Sequence, residues 1–591
     1  MDLQKYNIYS SFRQYQEETI KKIIDFVQNS PKRYLLIQAP TGSGKSIVAY
    51  VAAHYLVEQF EYWQNKVNQK DHTVEDINEF SKQIKDAYVL TSKNLLLDQY
   101  YRDFNKHMPV AKGRNNYICT QDRKPCSEAI CVGKSEENRR KLSCFANCPY
   151  VLAKKRLFGQ PVSATNFSLL LKFIKNRTFT SKDLVIVDEC QALESVLREE
   201  FVVQLTEKSI EIVNNLKESM RQCDTSHNVY DRAYHYLNRL KGNLKKIVIK
   251  DLDYDSISDV NAFLEFFHTE VVNLYMAFEY AIDKFIQEEC SGNDDLAIQD
   301  KEIKECVKKV DFLKHLAGSI KSYFLLKDSV EWVVQEHKTP KGVVTGFEIK
   351  PVTIELLTSD LFKRMAKKKV VMMSATIGDY KRFAKDIGLD PNDVEFIDVP
   401  HTFPIENRPF VVLPICSMKY AEMEKNLPKI VDACDSILDM YPNQKGIIHS
   451  VSFKNAIYLR EHMVNANRIL IHDTKNKELI LKQFKESKNC VLVSPSLIEG
   501  FDFKGDLSEF QIFIKVPYMS LTDKVIKRRL ELDQEWYINN AVLQILQGVG
   551  RSVRSETDVA TTFCLDSNIN FLLSKYRHLF TPDFLRTVVK T

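Results

Sequence analysis

A lysine and a serine follow two closely spaced glycines near the start of the chain. The segment is Gln38-Ala39-Pro40-Thr41-Gly42-Ser43-Gly44-Lys45-Ser46. Glycines so placed let backbone N–H groups turn toward a polyphosphate, and Thr41 and Ser43 belong to the same loop. Lys45 can reach the β- and γ-phosphates, and the Ser46 hydroxyl can bind Mg²⁺. The residue types and their order predict a site that binds and hydrolyses a nucleoside triphosphate.

Two apolar runs flank this loop and would position it. Tyr34–Ile37 precedes the loop and Ile47–Tyr50 follows it. The first run is typical of a buried strand, and the second suits the start of a helix, whose N-terminus attracts anions. A plain glycine turn is the alternative, but the order of strand, loop and helix favours a phosphate-binding P-loop.

Two adjacent carboxylates end another apolar run, later in the chain. Leu184–Val187 leads directly into Asp188 and Glu189. At the carboxyl end of a parallel strand beside a P-loop, such a pair can hold a metal and polarise the attacking water. We expect Asp188 to hold Mg²⁺ together with Ser46, and Glu189 to act as the general base. A surface pair without a catalytic role is the alternative.

Two arginines three residues apart lie near the end of the chain. They belong to the segment Gln547-Gly548-Val549-Gly550-Arg551-Ser552-Val553-Arg554. At this spacing two side chains share one face of a helix, from which Arg551 and Arg554 could reach a γ-phosphate as arginine fingers. A basic helix surface is the alternative, but Gly548 and Gly550 would each weaken an exposed helix by about 1 kcal/mol.

Five cysteines lie close together in one segment. They are Cys119, Cys126, Cys131, Cys144 and Cys148. No pair has the Cys-x-x-Cys spacing of a zinc ribbon, which weakens a zinc interpretation. Four thiolates at irregular spacing suit a [4Fe–4S] cluster, whose ligands can come from loops. Cysteines without a metal are the third possibility.

The same segment is strongly basic. Residues 111–160 contain eleven lysines and arginines against four acidic residues. The basic side chains could follow a phosphate backbone while Tyr117, Phe145 and Tyr150 stack on bases. We expect a nucleic-acid track here, with a solvated basic surface as the alternative.

The composition describes a large globular chain of several domains. It has 591 residues, of which 44% are hydrophobic and 27% charged, with a net charge of +5. This length suggests about four domains. We find neither an apolar stretch of about 18 residues nor an N-terminal leader, so we expect an intracellular protein without a membrane span. Its cysteines would then stay reduced.

The periodicity of apolar residues divides the chain. From Glu199 to Gln335 it is helical, and glycine and proline nearly vanish, which predicts an inserted all-helical domain. Strand and helix patterns alternate on either side, so the fold class is α/β. The expected boundaries are 1–110, 161–198 and 341–400 for a first α/β domain, 111–160 for a cysteine-rich insert, 199–340 for the helical insert and 401–591 for a second α/β domain.

These elements together resemble the XPD/DinG-like family of superfamily 2 iron–sulfur DNA helicases over nearly the whole chain. Further matching segments are Phe12-Arg13-Gln14-Tyr15-Gln16, Leu90-Thr91-Ser92-Lys93, Ala164-Thr165-Asn166-Phe167, Ser374-Ala375-Thr376 and Glu499-Gly500-Phe501-Asp502-Phe503. Ala39 stands where most P-loops have their first glycine. Ala-Pro-Thr-Gly is usual in this family's P-loop, so Ala39 agrees with the resemblance. One departure is Gln191, which replaces the histidine that links the ATP site to the segments at Ser374 and Gln547.

The resemblance implies two RecA-like motor domains, the first carrying an iron–sulfur insert and an arch-like helical insert. The implied cofactors are ATP, Mg²⁺ and a [4Fe–4S] cluster. By the same likeness, Cys119 and Cys148 are the outer cluster ligands, and two of Cys126, Cys131 and Cys144 are the inner ones. The residues expected to contact the nucleotide outside the P-loop are Arg13, Gln16, Asp502 and Gln547.

The implied activity is that of an ATP-dependent DNA helicase in DNA repair, which moves 5′-to-3′ as a monomer on single-stranded and forked DNA. Three alternatives stay open: a translocase that remodels complexes without separating strands, RNA as the substrate, and a nonenzymatic scaffold. The presence of Lys45, Asp188, Glu189 and Arg554 argues against the scaffold.

Overall fold

The computed structural model describes residues 2–69, 71–92, 94–129, 131, 136–222, 229–240, 256–288, 301–339, 343–472, 476–495, 503 and 505–590. Two parallel sheets of seven strands each and one antiparallel sheet of three strands form its framework. The predicted α/β class with two parallel-sheet domains is confirmed. In the part of the chain that the structure describes, no helix is both long and apolar enough to cross a bilayer.

The first parallel sheet brings the P-loop strand and the carboxylate strand together. Its strands are β1 (Tyr34–Gln38), β2 (Ala87–Thr91), β3 (Val110–Ala111), β4 (Val162–Asn166), β5 (Lys182–Asp188), β9 (Ala366–Ser374) and β10 (Val394–Asp398). They lie in the order β10-β1-β9-β5-β2-β4-β3. β1 and β5 are buried along their whole length, because helices cover both faces of the sheet. The carboxyl ends of β1, β9 and β5 therefore meet at one edge.

Helices on both sides of this sheet form two apolar cores. They are α1 (Gln16–Asn29), α2 (Lys45–Val67), α3 (Val74–Lys82), α4 (Asn94–Phe104), α7 (Phe167–Lys175), α8 (Leu193–Glu199), α13 (Glu355–Thr358), α14 (Leu361–Met365) and α15 (Tyr380–Asp386). Between β3 and β4, the cysteine-rich segment adds α5 (Glu136–Lys141) and α6 (Pro149–Gly159).

The second parallel sheet belongs to the domain that contains the arginine segment. Its strands are β11 (Phe410–Cys416), β12 (Gly446–His449), β13 (Ile469–Ile471), β14 (Val491–Ser494), β15 (Phe510–Phe513), β16 (Thr561–Asp566) and β17 (Val588–Lys590), in the order β13-β14-β12-β15-β16-β11-β17. Its helices are α16 (Met423–Met440), α17 (Phe453–His462), α18 (Lys477–Glu486), α19 (Lys524–Leu532), α20 (Gln534–Val549), α21 (Asn568–Lys575) and α22 (Pro582–Thr587).

The insert that was predicted to be all-helical contains a sheet, so that prediction is wrong in this respect. Its helices are α9 (Glu207–Gln222), α10 (Val229–Arg239), α11 (Ile257–Glu288) and α12 (Lys301–Leu326). The antiparallel strands β6 (Val203–Thr206), β8 (Val344–Pro351) and β7 (Trp332–Lys338) share one apolar core with them. Because β8 pairs with β6 and β7, the insert extends past the expected boundary at residue 340.

Candidate active site

The P-loop connects β1 to α2 through two glycines in the left-handed conformation. Gly42 has φ +79° and Gly44 has φ +78°. A Cβ on Gly44 would lie 2.2 Å from Nε2 of Gln16, and a Cβ on Gly42 would lie 2.5 Å from the backbone oxygen of Arg554. Both positions therefore require glycine. The position of Arg554 also shows that this loop lies against the second parallel-sheet domain.

Two residues predicted at the nucleotide hold the P-loop backbone. Nη1 of Arg13 donates to the Gly42 carbonyl, and Nε2 of Gln16 donates to the Ser43 carbonyl at 2.7 Å. Oε1 of Gln16 accepts from the backbone N–H of Arg13, also at 2.7 Å. The Ser43 hydroxyl is buried and has no hydrogen-bond partner within the described residues. Arg13 and Gln16 thus shape the loop and line the adjoining cleft.

Asp188 is almost fully buried, with 1% of its surface exposed, at the end of β5. Its Oδ2 atom accepts one hydrogen bond from Ser46 Oγ and one from the Tyr100 hydroxyl, each 2.9 Å long. Burial raises the pKa of Asp188 to about 6, and the neighbouring charge of Glu189 acts in the same direction. The carboxylate and the Ser46 hydroxyl are the hard oxygen donors that Mg²⁺ prefers.

Glu189 lies beside the P-loop lysine. The Nζ atom of Lys45 is 3.4 Å from Oε1 of Glu189 and 3.3 Å from the Ala39 carbonyl. Burial by itself would raise the pKa of Glu189, but Lys45, Gln191 and Arg551 outweigh burial and lower that pKa. The carboxylate is therefore ionised at neutral pH and able to accept a proton.

Gln191, which replaces the family's histidine, bridges two strands of the first sheet. Its Nε2 donates to Oε2 of Glu189 at 2.6 Å, and its Oε1 accepts from the Ser374 hydroxyl at 2.5 Å. Two residues further on, the Thr376 hydroxyl accepts from Nε2 of Gln547 at 2.9 Å. A short chain of hydrogen bonds thus leads from Glu189 to the end of β9, where the second domain makes contact.

The two arginines follow α20 and do not share a helix face, which corrects the sequence-based prediction. The helix ends at Val549, and Gly550 approaches Thr41 so closely that a Cβ there would lie 2.6 Å from Thr41 Oγ1. Arg551 and Arg554 lie in the loop beyond it. The Asp558 carboxylate fixes this loop by accepting from the backbone N–H of Arg554 at 2.8 Å.

These groups line one cleft of about 550 Å³ between the two parallel-sheet domains. The predicted site residues on its walls are Arg13, Gln16, Thr41, Gly42, Gly44, Lys45, Ser46, Asp188, Glu189, Gln547, Arg551 and Arg554. Ser43 lies on the neighbouring side of the same loop. Asp502 and the segment 499–502 lie outside the described residues, as does Lys93.

The cysteine-rich segment has a small core of its own. Cys119, Cys126, Cys144 and Cys148 are buried, and Cys131 packs against them with partial exposure. Burial and the neighbouring thiols raise the pKa of Cys126 to about 12 and that of Cys144 to about 11. Within the described ranges, no three His, Cys, Asp or Glu side chains are arranged so that they could hold a metal ion.

Sequence reasoning missed Tyr100. Its ring belongs to the apolar face of α4, on which Leu97, Tyr100 and Phe104 recur at helical spacing, and this pattern predicts only a core position. The partner of its hydroxyl lies 88 residues away in the sequence. No local signal could have indicated that contact.

Comparisons with known proteins agree with this geometry. Residues 447–583 match the family described as a helicase C-terminal domain, and residues 9–221 match the family described as the res subunit of type III restriction enzymes. The probable ATP-dependent helicase MJ0942 of Methanocaldococcus jannaschii is 20% identical over 94% of this chain and 92% of its own length. The ATP-dependent DNA helicase YoaA of Haemophilus influenzae is 23% identical over 38% of this chain. That match spans 36% of the Haemophilus protein, about a third of its length.

Solved structures show the same fold. An XPD helicase structure superposes with a TM-score of 0.59 at 15% identity, covering 99% of this chain and all of the other. Xpd4 of S. tokodaii superposes with a TM-score of 0.56 at 16% identity, covering 98% of this chain and all of the other. Both parallel-sheet domains are therefore RecA-like. The family matches, the helicase relatives and these structures agree that the chain resembles the XPD/DinG-like superfamily 2 helicases.

Proposed function

We propose that the chain is an ATP-dependent DNA helicase that moves along single-stranded DNA and separates the duplex at a fork. The observation that carries this proposal is the composition of the cleft. Lys45 and Glu189 come from one RecA-like domain, whereas Arg551 and Arg554 come from the other. ATP held by both walls favours the closed arrangement of the domains, and hydrolysis removes that preference. Repeated closure and opening can move the two domains along a strand.

Each proposed catalytic side chain has a distinct task. Lys45 binds the β- and γ-phosphates, and Glu189 accepts a proton from the attacking water. Arg551 and Arg554 stabilise the charge that develops on the γ-phosphate, a contribution worth about 10³ or more in rate. Ser46 and Asp188 would hold Mg²⁺, which neutralises phosphate charge when bound. Asp502 stays a proposed nucleotide contact from the sequence alone.

The cysteine segment is proposed to hold a [4Fe–4S] cluster. Four buried sulfurs in one small core fit the number of ligands that such a cluster requires. The outer ligands would be Cys119 and Cys148. Burial favours Cys126 and Cys144 as the inner ones, because Cys131 is partly exposed and its Sγ accepts from Nη2 of Arg114 at 2.9 Å. When bound, the cluster would crosslink a segment that has few other apolar contacts.

The basic surface of this segment and the arch-like insert are proposed to guide the strand. Tyr117 and Tyr150, which were expected to stack on bases, pack instead beside the cysteines, with their ring centroids 5.9 Å apart. The proposed track therefore relies on basic side chains such as Arg140 and Lys141. The cleft is complete within one chain, which supports a monomeric motor. The names of relatives that are ATP-dependent DNA helicases support DNA as the substrate. A role in DNA repair and an intracellular location are further parts of the proposal.

An unwinding assay tests this proposal. Purified protein should use ATP to separate a fluorescent duplex that has a 5′ single-stranded tail, and it should fail on the same duplex with a 3′ tail. ATP hydrolysis stimulated by DNA without strand separation would favour a translocase that remodels complexes. Stimulation of ATP hydrolysis by RNA but not by DNA would show that the substrate is RNA. Absence of both hydrolysis and unwinding would refute the proposal.

A further inference from the structure

The fully buried hydroxyl of Tyr100 lies directly beneath the proposed Mg²⁺ site. Tyr100 is 0% exposed, and its hydroxyl donates to Oδ2 of Asp188 at 2.9 Å. The same oxygen accepts from Ser46 at 2.9 Å, while Oδ1 accepts from the backbone N–H of Glu189 at 3.0 Å. Each oxygen of the Asp188 carboxylate is therefore held, and Tyr100 is the one partner that comes from α4.

In the bond to Asp188, the hydroxyl of Tyr100 is the donor, because an ionised carboxylate can only accept. The packing around Tyr100 fixes its position. Its ring centroid lies 5.3 Å from that of Phe104, whose ring stacks on Tyr50 at 4.7 Å. This packing leaves the ring little room to turn, so a movement of α4 would move the hydroxyl with it.

The opposite side of α4 is attached to the cysteine-rich segment. Asp98 forms an ion pair with Lys112, and Nζ of Lys112 also lies 4.6 Å from the centroid of the Tyr101 ring. The start of the helix is held by the first sheet itself, because the Asn94 side chain accepts from the Asn166 side chain at the end of β4. One short helix thus joins Asp188 on its inner side to the basic insert on its outer side.

From these contacts we infer that Tyr100 is a positioning residue, which sets the Asp188 carboxylate for a divalent cation and links that carboxylate, through α4, to the cysteine-rich insert. The inference rests on the proposed function, because it assigns a support to the proposed metal ligand. A strand that moves the insert would shift α4, and the phenol would pass that shift to Asp188. DNA could then alter the cation site without contacting it.

The test removes the hydroxyl and keeps the ring. Tyr100→Phe should weaken Mn²⁺ binding to the ATP-bound protein about tenfold, measured by electron paramagnetic resonance, because a hydrogen bond to a buried carboxylate is lost. Tyr101→Phe is the matched control: it makes the same change one residue away, on the exposed side of α4, and should leave Mn²⁺ affinity unchanged. Equal Mn²⁺ affinity in wild type, Tyr100→Phe and Tyr101→Phe would overturn the inference.

A second variant tests the link to the insert without touching the core. Asp98→Asn weakens the exposed pair with Lys112 and should leave basal ATP turnover and Mn²⁺ affinity unchanged, while the stimulation of turnover by single-stranded DNA falls several-fold. Full stimulation in Asp98→Asn would overturn the link, even if Tyr100→Phe failed to fold. Wild-type protein without any ATP hydrolysis would instead refute the proposed function, so the two failures are distinguishable.

Discussion

At the scale of single residues, the proposed roles of Lys45 and Glu189 separate ATP binding from ATP hydrolysis. The two side chains lie 3.4 Å apart, but only the lysine is placed to contact ground-state phosphates. Lys45 is 8% exposed and Glu189 is 32% exposed, so the carboxylate faces the cleft where water can enter. Their removal should therefore affect different steps.

We predict that Lys45→Ala abolishes tight ATP binding, whereas Glu189→Gln binds ATP and fails to hydrolyse it. The glutamine keeps the shape of the side chain but cannot accept the proton from water. Equilibrium binding of a fluorescent ATP analogue and steady-state turnover separate the two effects. DNA-stimulated turnover of Glu189→Gln within a few-fold of wild type would contradict the assignment of the base.

Gln191 offers a second prediction at this scale. Gln191→Leu keeps the approximate volume but removes both hydrogen bonds, to Glu189 and to Ser374. Turnover with DNA should fall about tenfold while ATP affinity stays unchanged, because Glu189 loses a bond that orients it. Gln191→His, which restores the family's usual residue, is the matched variant and should retain turnover near neutral pH. An unchanged turnover in Gln191→Leu would show that the bridge has no role.

The residue types at the site and the pairing of Ser46 with Asp188 could be predicted from the sequence, but the other contacts could not. Ser46 and Asp188 were expected together, since a P-loop and a carboxylate-terminated strand meet at one sheet edge. The contact of Gln191 with Ser374 depends on β9. This strand lies beside β5 in the sheet, although the whole insert separates the two strands in the sequence. Tyr100 gave no sequence signal beyond its apolar spacing.

At the scale of elements, the end of α20 brings the two domains together. The backbone at Gly550 lies against Thr41, and the backbone oxygen of Arg554 lies against Gly42. The sequence indicated that glycines here were not those of a solvated helix. It could not indicate that the helix stops before Arg551, because that end depends on a neighbouring domain and on Asp558.

We predict that Gly550→Ala raises the KM for ATP about tenfold with little change in thermal stability. A Cβ at this position would lie 2.6 Å from Oγ1 and 3.2 Å from Cγ2 of Thr41, so rotation of the threonine cannot relieve both contacts. Gly318→Ala is the matched control, because nothing lies within 4 Å of its Cβ and it sits inside α12. An unchanged KM in Gly550→Ala would mean that the domains need not approach this closely.

The cysteine-rich element carries a prediction about ligand choice. Wild-type protein purified without oxygen should be brown and carry about four irons per chain. Cys119→Ser and Cys148→Ser should lose the colour and most of the iron. Cys131→Ser should keep both, because its sulfur is partly exposed and bonded to Arg114. Cys416→Ser, far away in the second domain, is the control. Colourless wild-type protein with one zinc would contradict the cluster and leave the ATP site intact.

The sheet in the insert shows a limit of prediction at this scale. β6 has only four residues and is followed at once by helical spacing in α9. Its partner β8 lies more than a hundred residues later in the chain. Local periodicity cannot reveal such a pairing, because a short strand is stabilised by its neighbours and not by its own sequence. The helical majority of the insert was recognisable, since its apolar residues recur over long stretches.

At the scale of the whole molecule, two RecA-like domains meet along a second contact besides the ATP cleft. Arg529 is 6% exposed, bonds to Asp386 at 2.9 Å and lies over the Trp536 ring. Nε1 of Trp536 in turn donates to Glu194 on α8, which directly follows the carboxylate strand. The helices that follow β5 and β9 in the first domain therefore touch α19 and α20, which lead to Arg551 and Arg554. A motor that transmits closure of its cleft needs such a connection.

At this scale we propose that ATP is hydrolysed between the two domains in response to a nucleic-acid strand. The most direct measurement is steady-state ATP turnover with and without single-stranded DNA, in wild type and Arg554→Ala. Wild-type turnover should require Mg²⁺ and rise with DNA, and Arg554→Ala should lose about 10³ in rate while its affinity for DNA is retained. Arg554→Ala that hydrolyses ATP like wild type but no longer binds DNA would contradict the account.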